Sequence, residues 1–163
     1  MSTVYSFTGE QLANALHALG VKFIMGGEGE DDELHKNPTR LLVELAQSKE
    51  SRLRLALIPL FLEHPEFALH VNKAARKLEL TSRITLECYY TAAMFIRKKY
   101  QPRRRALPDH FSKKLNIPIT NDAEENLRAL AKRQREISGV HANWFGTYQH
   151  AAQRWFIHAG LRK

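Results

Sequence analysis

An all-α, single-domain bundle of about seven to eight helices, built round one central apolar helix, is the fold this sequence predicts. Three observations lead there. Helix-spaced apolar residues with capping signals recur along the chain, strand-like alternation nearly fails to appear, and residues 82–100 form one long apolar run with few polar breaks. The 163 residues, 44% apolar and 26% charged, fit one domain over 1–163 with a sizeable core.

The elements follow in order. Thr8 with Gln11 makes a capping box ahead of Leu12, Ala15, Leu16 and Leu19, and Gly20 closes that helix. "VKFIM", residues 21–25, is the only strand-like run, and the acidic, glycine-rich "GGEGEDDE" after it reads as a loop. Asn37 before Pro38 starts a helix through Leu41, Leu42, Leu45 and Ala46, because proline suits the first helical position. The next helix runs from about Ser51 to Leu62, with a kink at Pro59, whose missing N–H deprives the carbonyl of Leu55 of a partner.

Residues 65–78 and 82–100 read as two more helices separated by Glu79, Leu80 and Thr81. Residues 101–120, with prolines at 102, 108 and 118, form a Pro/Arg-rich connector carrying one short helix at about 109–115. Asn121 with Glu124 caps a polar helix to about Ile137, Gly139 ends it, and a last helix covers about 142–158. In that last helix Trp144, Tyr148 and Trp155 recur at near-helical spacing, which reads as the face that docks it on the core.

The stretch "HVNKAARKLELTSRITLECYY", residues 70–90, has two readings. As a helix-turn-helix, Ala74, Ala75 and Leu78 pack the turn, Lys73, Arg76 and Lys77 contact phosphates, and Arg83 and Thr85 reach bases. As a buried hairpin, the second helix is apolar nearly all round from Ile84 to Ile96 and belongs inside a bundle. Packing favours the hairpin, since each such side chain gains about 1.5 to 3 kcal/mol on burial.

The net charge of +8 is unevenly placed: residues 70–105 carry ten basic and two acidic side chains, residues 1–69 six and ten. Within "IRKKYQPRRR", Arg97, Lys98, Lys99, Arg103, Arg104 and Arg105 fall inside nine residues. Cations near a helix C-terminus interact favourably with its dipole, but hardly six of them. The run reads as a solvated basic turn, as a phosphate-binding patch with Tyr100 able to stack on a base, or as a contact for the acidic loop 28–33.

Candidate catalytic and metal signatures are weak. None of the eight histidines pairs at i,i+3 or i,i+4, so no metal and no cofactor is expected. The acidic loop lacks the ligand alternation of a calcium site, and "MGGEGE" lacks the lysine of a phosphate cradle. The lone Cys88 sits among apolar neighbours, and no leader or membrane-length apolar run is evident, so a cytoplasmic setting is expected.

Arg135, five residues, then His141 resembles the motif of HEPN-type helical ribonucleases. That resemblance implies an arginine and a histidine flanking a scissile phosphate, often across a dimer. Ser138 and Gly139 intervene and end the helix, so the pattern does not require the two side chains to point the same way.

The leading expectation is a nucleic-acid-associated protein, DNA or RNA, acting without catalysis. Its binding set is Lys73, Arg76, Lys77, Arg83, Arg97, Lys98, Lys99, Arg103, Arg104 and Arg105. The alternatives are an accessory or antitoxin-like subunit that binds an acidic protein, and a HEPN-like ribonuclease. A homodimer is compatible with each.

Overall fold

A capping box opens the first helix, as the sequence requires. In the computed structural model, which describes residues 7–21 and 34–160, α1 spans Gly9–Ala18. The Gln11 amide donates to Thr8 Oγ1 at 3.1 Å, and the Thr8 amide donates to Gln11 Oε1 at 2.8 Å. Gly20, at φ 78°, ends it: its N–H bonds the His17 carbonyl and the Val21 N–H bonds the Leu16 carbonyl. That left-handed turn is cheap only for glycine. The acidic loop 28–33 and all of "VKFIM" except buried Val21 lie outside the described residues.

After a 3-10 turn at Leu34–Lys36, α2 covers Pro38–Ala46 with Asn37 as its cap, whose Oδ1 accepts from the Arg40 amide at 3.2 Å. The expected kinked helix over 51–62 is instead two helices, α3 (Ser51–Leu55) and α4 (Leu57–Glu63), parted at Ala56. Pro59 explains the break: without its N–H the Leu55 carbonyl has no i+4 donor, and the ladder restarts one residue on. The region expected as a helix over 65–78 likewise divides, into a 3-10 turn at Pro65–Leu69 and the six-residue α5 at Val71–Arg76.

The longest helix is α6, Leu80–Tyr100. Every residue from Leu86 to Arg97 is buried, against α2, α4, α5 and α7. Two of its polar members are satisfied inside the fold: the Thr91 hydroxyl donates to the Glu87 carbonyl at 2.7 Å, and Glu87 accepts from Lys114 Nζ at 2.6 Å. α6 is thus the bundle's centre, the position its all-round apolar surface demands. Phe61 meets Tyr90 edge-on at 4.8 Å beside it.

The connector after α6 is a strap. Arg97 Nε donates to the Arg105 carbonyl at 2.6 Å, and the Tyr90 hydroxyl donates to the Pro108 carbonyl at 2.6 Å. Leu107, Phe111, Leu115 and Ile117 are buried beneath it. No helix forms over 109–115; one turn does, opened by Asp109 accepting from the Ser112 amide and closed by Asn116 at φ 60°. Pro108 before the turn and Pro118 after it leave no room for a second turn.

α7 covers Ala123–Ser138 and is capped by Asp122, one residue later than Asn121: Asp122 Oδ1 accepts from the Glu124 and Glu125 amides. Gly139, at φ 72°, ends it. α8, Trp144–Gly160, packs on α7 and α4. Its Tyr148 and Trp155 face the core, Tyr148 donating to Gln134 and Trp155 Nε1 to Glu63 at 3.2 Å. Trp144 packs half-buried against the core, as does Phe145, while Phe156 is exposed. No strand forms among the described residues, and no helix there is long and apolar enough to cross a membrane.

Candidate nucleic-acid interface

The ten cations named from the sequence separate into four situations. Lys73, Arg76 and Lys77 stand exposed on α5, and Lys98, Arg103, Arg104 and Arg105 stand exposed at the exit of α6. Among the described residues no carboxylate pairs with any of these seven. Lys99 is half-buried and bound, its Nζ 3.0 Å from Glu124 Oε1. That contact holds the Glu124 carboxyl below its ordinary value of 4.5, chiefly by the hydrogen bond from Lys99.

Arg97 is not a surface group. It is 6% exposed, bonded to the Arg105 carbonyl and, through Nη1 at 3.4 Å, to that of Leu62. Burial, and secondarily the charge of Arg104, lowers its pKa from the ordinary arginine value. It buttresses the loop that displays its neighbours. Arg83 is half-buried too, with Nη2 on the Leu78 carbonyl at 3.4 Å and a buried Nε that has no partner among the described residues. Tyr100 is half-buried against Phe156 at 5.6 Å, so its ring is not open on both faces.

The strap joins the two exposed clusters. From Arg105 at the level of Arg97 it runs back along α6 to Pro108 at the level of Tyr90, where His110 Nδ1 meets Asn72 Nδ2 of α5 at 3.1 Å. Seven helical residues rise about 10 Å, enough to pass more than one backbone phosphate. Asn72 shares the exposed face of α5 with Arg76, four residues on. Lys113, exposed on the same strap, was not among the sequence candidates.

The first turns of α6 bear on the helix-turn-helix reading. Leu80 is 65% exposed, while Arg83 is held by Leu78 and the Thr85 hydroxyl donates to the Thr81 carbonyl at 3.3 Å. Thr81, Ser82 and Thr85 line a concave groove beside α3, α7 and α8. A recognition helix must project from its domain to enter a major groove, and this one is recessed.

The Arg135 and His141 side chains do converge: Arg135 Nε donates to His141 Nδ1 at 2.9 Å, with both residues exposed. The αL turn at Gly139 folds the chain back on the last turn of α7 and produces the meeting, which the sequence pattern alone does not require. Because Nδ1 accepts, the neutral imidazole carries its proton on Nε2. Cys88, by contrast, is sealed: burial, then the neighbouring Glu87 charge, pushes its thiol up to about 12. Among the described residues no group of three histidine, cysteine or acidic side chains is placed to hold a metal ion. Compared with protein-family models, with curated proteins and with solved structures, the chain matches none.

Proposed function

We propose that this protein binds nucleic acid through the phosphate backbone, without catalysis, using Arg103, Arg104, Arg105 and Lys98 at one end of the strap and Lys73, Arg76 and Lys77 at the other. One observation supports the reading above all: three consecutive exposed arginines with no carboxylate partner among the described residues, on a loop that a buried arginine anchors. An anchored loop loses less freedom on binding than a floppy one, and guanidinium forks suit phosphate oxygens. Base reading has no comparable support, so the affinity is electrostatic and salt-dependent.

Replacing Arg103, Arg104 and Arg105 with alanine should flatten the plot of log affinity against log salt by about 2 to 3 units, measured with a labelled duplex and a labelled single strand. An unchanged slope removes the loop from the interface. Failure of either probe to bind at about 50 mM salt, with co-purification of an acidic protein, would favour a protein partner.

The convergence of Arg135 and His141 favours a second reading, a ribonuclease of the HEPN type. There Arg135 would hold a phosphate and His141 would move the proton of the attacking or leaving oxygen. RNA cleavage lost in His141→Ala supports it; cleavage unchanged in that variant, or absent from the wild type, dismisses it.

A further inference from the structure

A groove of about 850 Å³ opens between α3, the first half of α6, the end of α7 and the start of α8. Its volume falls in the range, about 300 to 1,000 Å³, in which proteins hold small ligands. Three arginines line it and no carboxylate does. Arg52 is already paired with Glu50 at 3.0 Å; the donors with capacity left are Tyr89, Arg54 and Gln134.

Tyr89 is the clearest. The residue is only 5% exposed, it lines the groove, and its hydroxyl has no hydrogen-bond partner among the described residues. The hydroxyl oxygen is not sealed off by the fold, so its O–H is open to whatever occupies the groove. Burial pushes its pKa up to about 12, with the Arg54 charge pulling the other way, so the guanidinium lies within electrostatic reach of the ring. Arg54 itself uses Nη1 on the Ser48 carbonyl at 2.8 Å, and its other N–H groups have no partner among the described residues. Gln134, 2% exposed, gives its Oε1 to the Tyr148 hydroxyl, and its amide nitrogen is likewise without a partner there.

The apolar part of the groove includes Leu55, Ile84, Ile137 and Trp144. The indole is fixed in place, its Nε1 donating to the Val140 carbonyl at 3.0 Å and its ring meeting Tyr89 edge-on at 6.5 Å. A held aromatic plane beside a cluster of donors matches a ligand with a flat body and an anionic head.

We propose that this groove is a binding site for a small organic anion, a flat apolar body carrying a phosphate or carboxylate. The anionic head takes hydrogen bonds from the Tyr89 hydroxyl, the Gln134 amide and the Arg54 guanidinium, and the body lies along Trp144 and Ile84. The site is independent of the strap: none of the seven exposed cations there lines it.

The test is isothermal titration of the full chain with 1-naphthyl phosphate, and with 1-naphthol and inorganic phosphate as its two halves. Saturable one-to-one binding is expected for the whole probe, at least about tenfold tighter than for either half. Tyr89→Phe, which keeps the ring and loses the hydroxyl, should weaken binding about tenfold, as should Arg54→Gln, with helical circular dichroism retained. The triple alanine variant of Arg103, Arg104 and Arg105 should bind the probe as the wild type does, so that this site and the nucleic-acid surface succeed or fail separately. Naphthol binding as tightly as naphthyl phosphate, no saturable heat, or full affinity in a folded Tyr89→Phe protein would overturn the proposal.

Discussion

The strap and the groove both present cations, and they do so in opposite ways. On the strap the arginines are consecutive and exposed, with no carboxylate paired to them among the described residues. In the groove the donors Arg54, Tyr89 and Gln134 arrive from α3, α6 and α7, are half or wholly buried, and line one volume. An exposed row of charges suits a repeating polyanion and little else, whereas a concave set of donors beside a fixed aromatic plane suits a shape. The difference teaches that cation density along a chain and cation function in a fold are separate quantities.

Arg97 and Arg104 put that to the most severe test, since they lie seven residues apart in one basic run. Arg97→Ala removes a buried guanidinium and leaves the Arg105 and Leu62 carbonyls without their donor. The expected cost is about 2 to 4 kcal/mol of stability, read as a lowered urea midpoint, because unsatisfied buried acceptors and lost packing add. Arg104→Ala should leave stability within about 0.5 kcal/mol and lower the salt slope of binding by about 1. Equal effects on stability would show that the two arginines do not differ in kind.

Much of the scaffold is legible in the sequence for local reasons. Thr8 with Gln11, Asn37 with Pro38, and Gly139 act within a turn of their own positions, so neighbouring residues suffice to find them. The all-round apolar surface of α6 announces burial in the same local way. What escapes is set by tertiary contact. Arg97 reads as one more basic residue until the strap's carbonyls fold over it, and Tyr89 reads as core until three other helices leave its hydroxyl facing a groove. The divided helix at Ala56 is an intermediate case: Pro59 announces a disturbance, but whether it bends or breaks the ladder depends on the packing around it.

A second test acts on the titratable groups buried on and against α6. Burial raises Cys88 and Tyr89 to about 12, and raises Tyr90 and Tyr148 as well. A raised folded value means the folded protein favours the protonated form, so the stability is complete below the unfolded values of 9.0 and 10.0 and is lost as pH climbs toward 12. Chemical denaturation at pH 10 should show roughly 2 to 3 kcal/mol less stability than at pH 8. The phenolate absorbance of these tyrosines should appear together with unfolding rather than before it. Cys88 should react with a thiol reagent at pH 8 only at the rate of unfolding. Ionisation of Tyr89 well ahead of unfolding would mean that the groove is wetter than its lining implies.

The smallest effect concerns Lys99, the cation that belongs to neither region because Glu124 holds it. The depressed Glu124 carboxyl favours folding in its charged form, so its contribution is present above 4.5 and disappears as pH falls through the lower folded value. Glu124→Gln should therefore melt slightly below the wild type at neutral pH, with the gap closing in acid, as scanning calorimetry at two pH values would show. Both partners keep much of their side chains in water, where such bridges are weak, and the carboxylate at the start of α7 also loses its favourable place beside the helix dipole. The same substitution releases Lys99 next to the arginine loop. If that loop meets phosphates, the salt slope of nucleic-acid binding should steepen by up to about 1 unit as one more counterion is displaced. A slope that stays flat while the acid-sensitive gap appears would confine the interface to the strap itself and leave the end of α6 outside it.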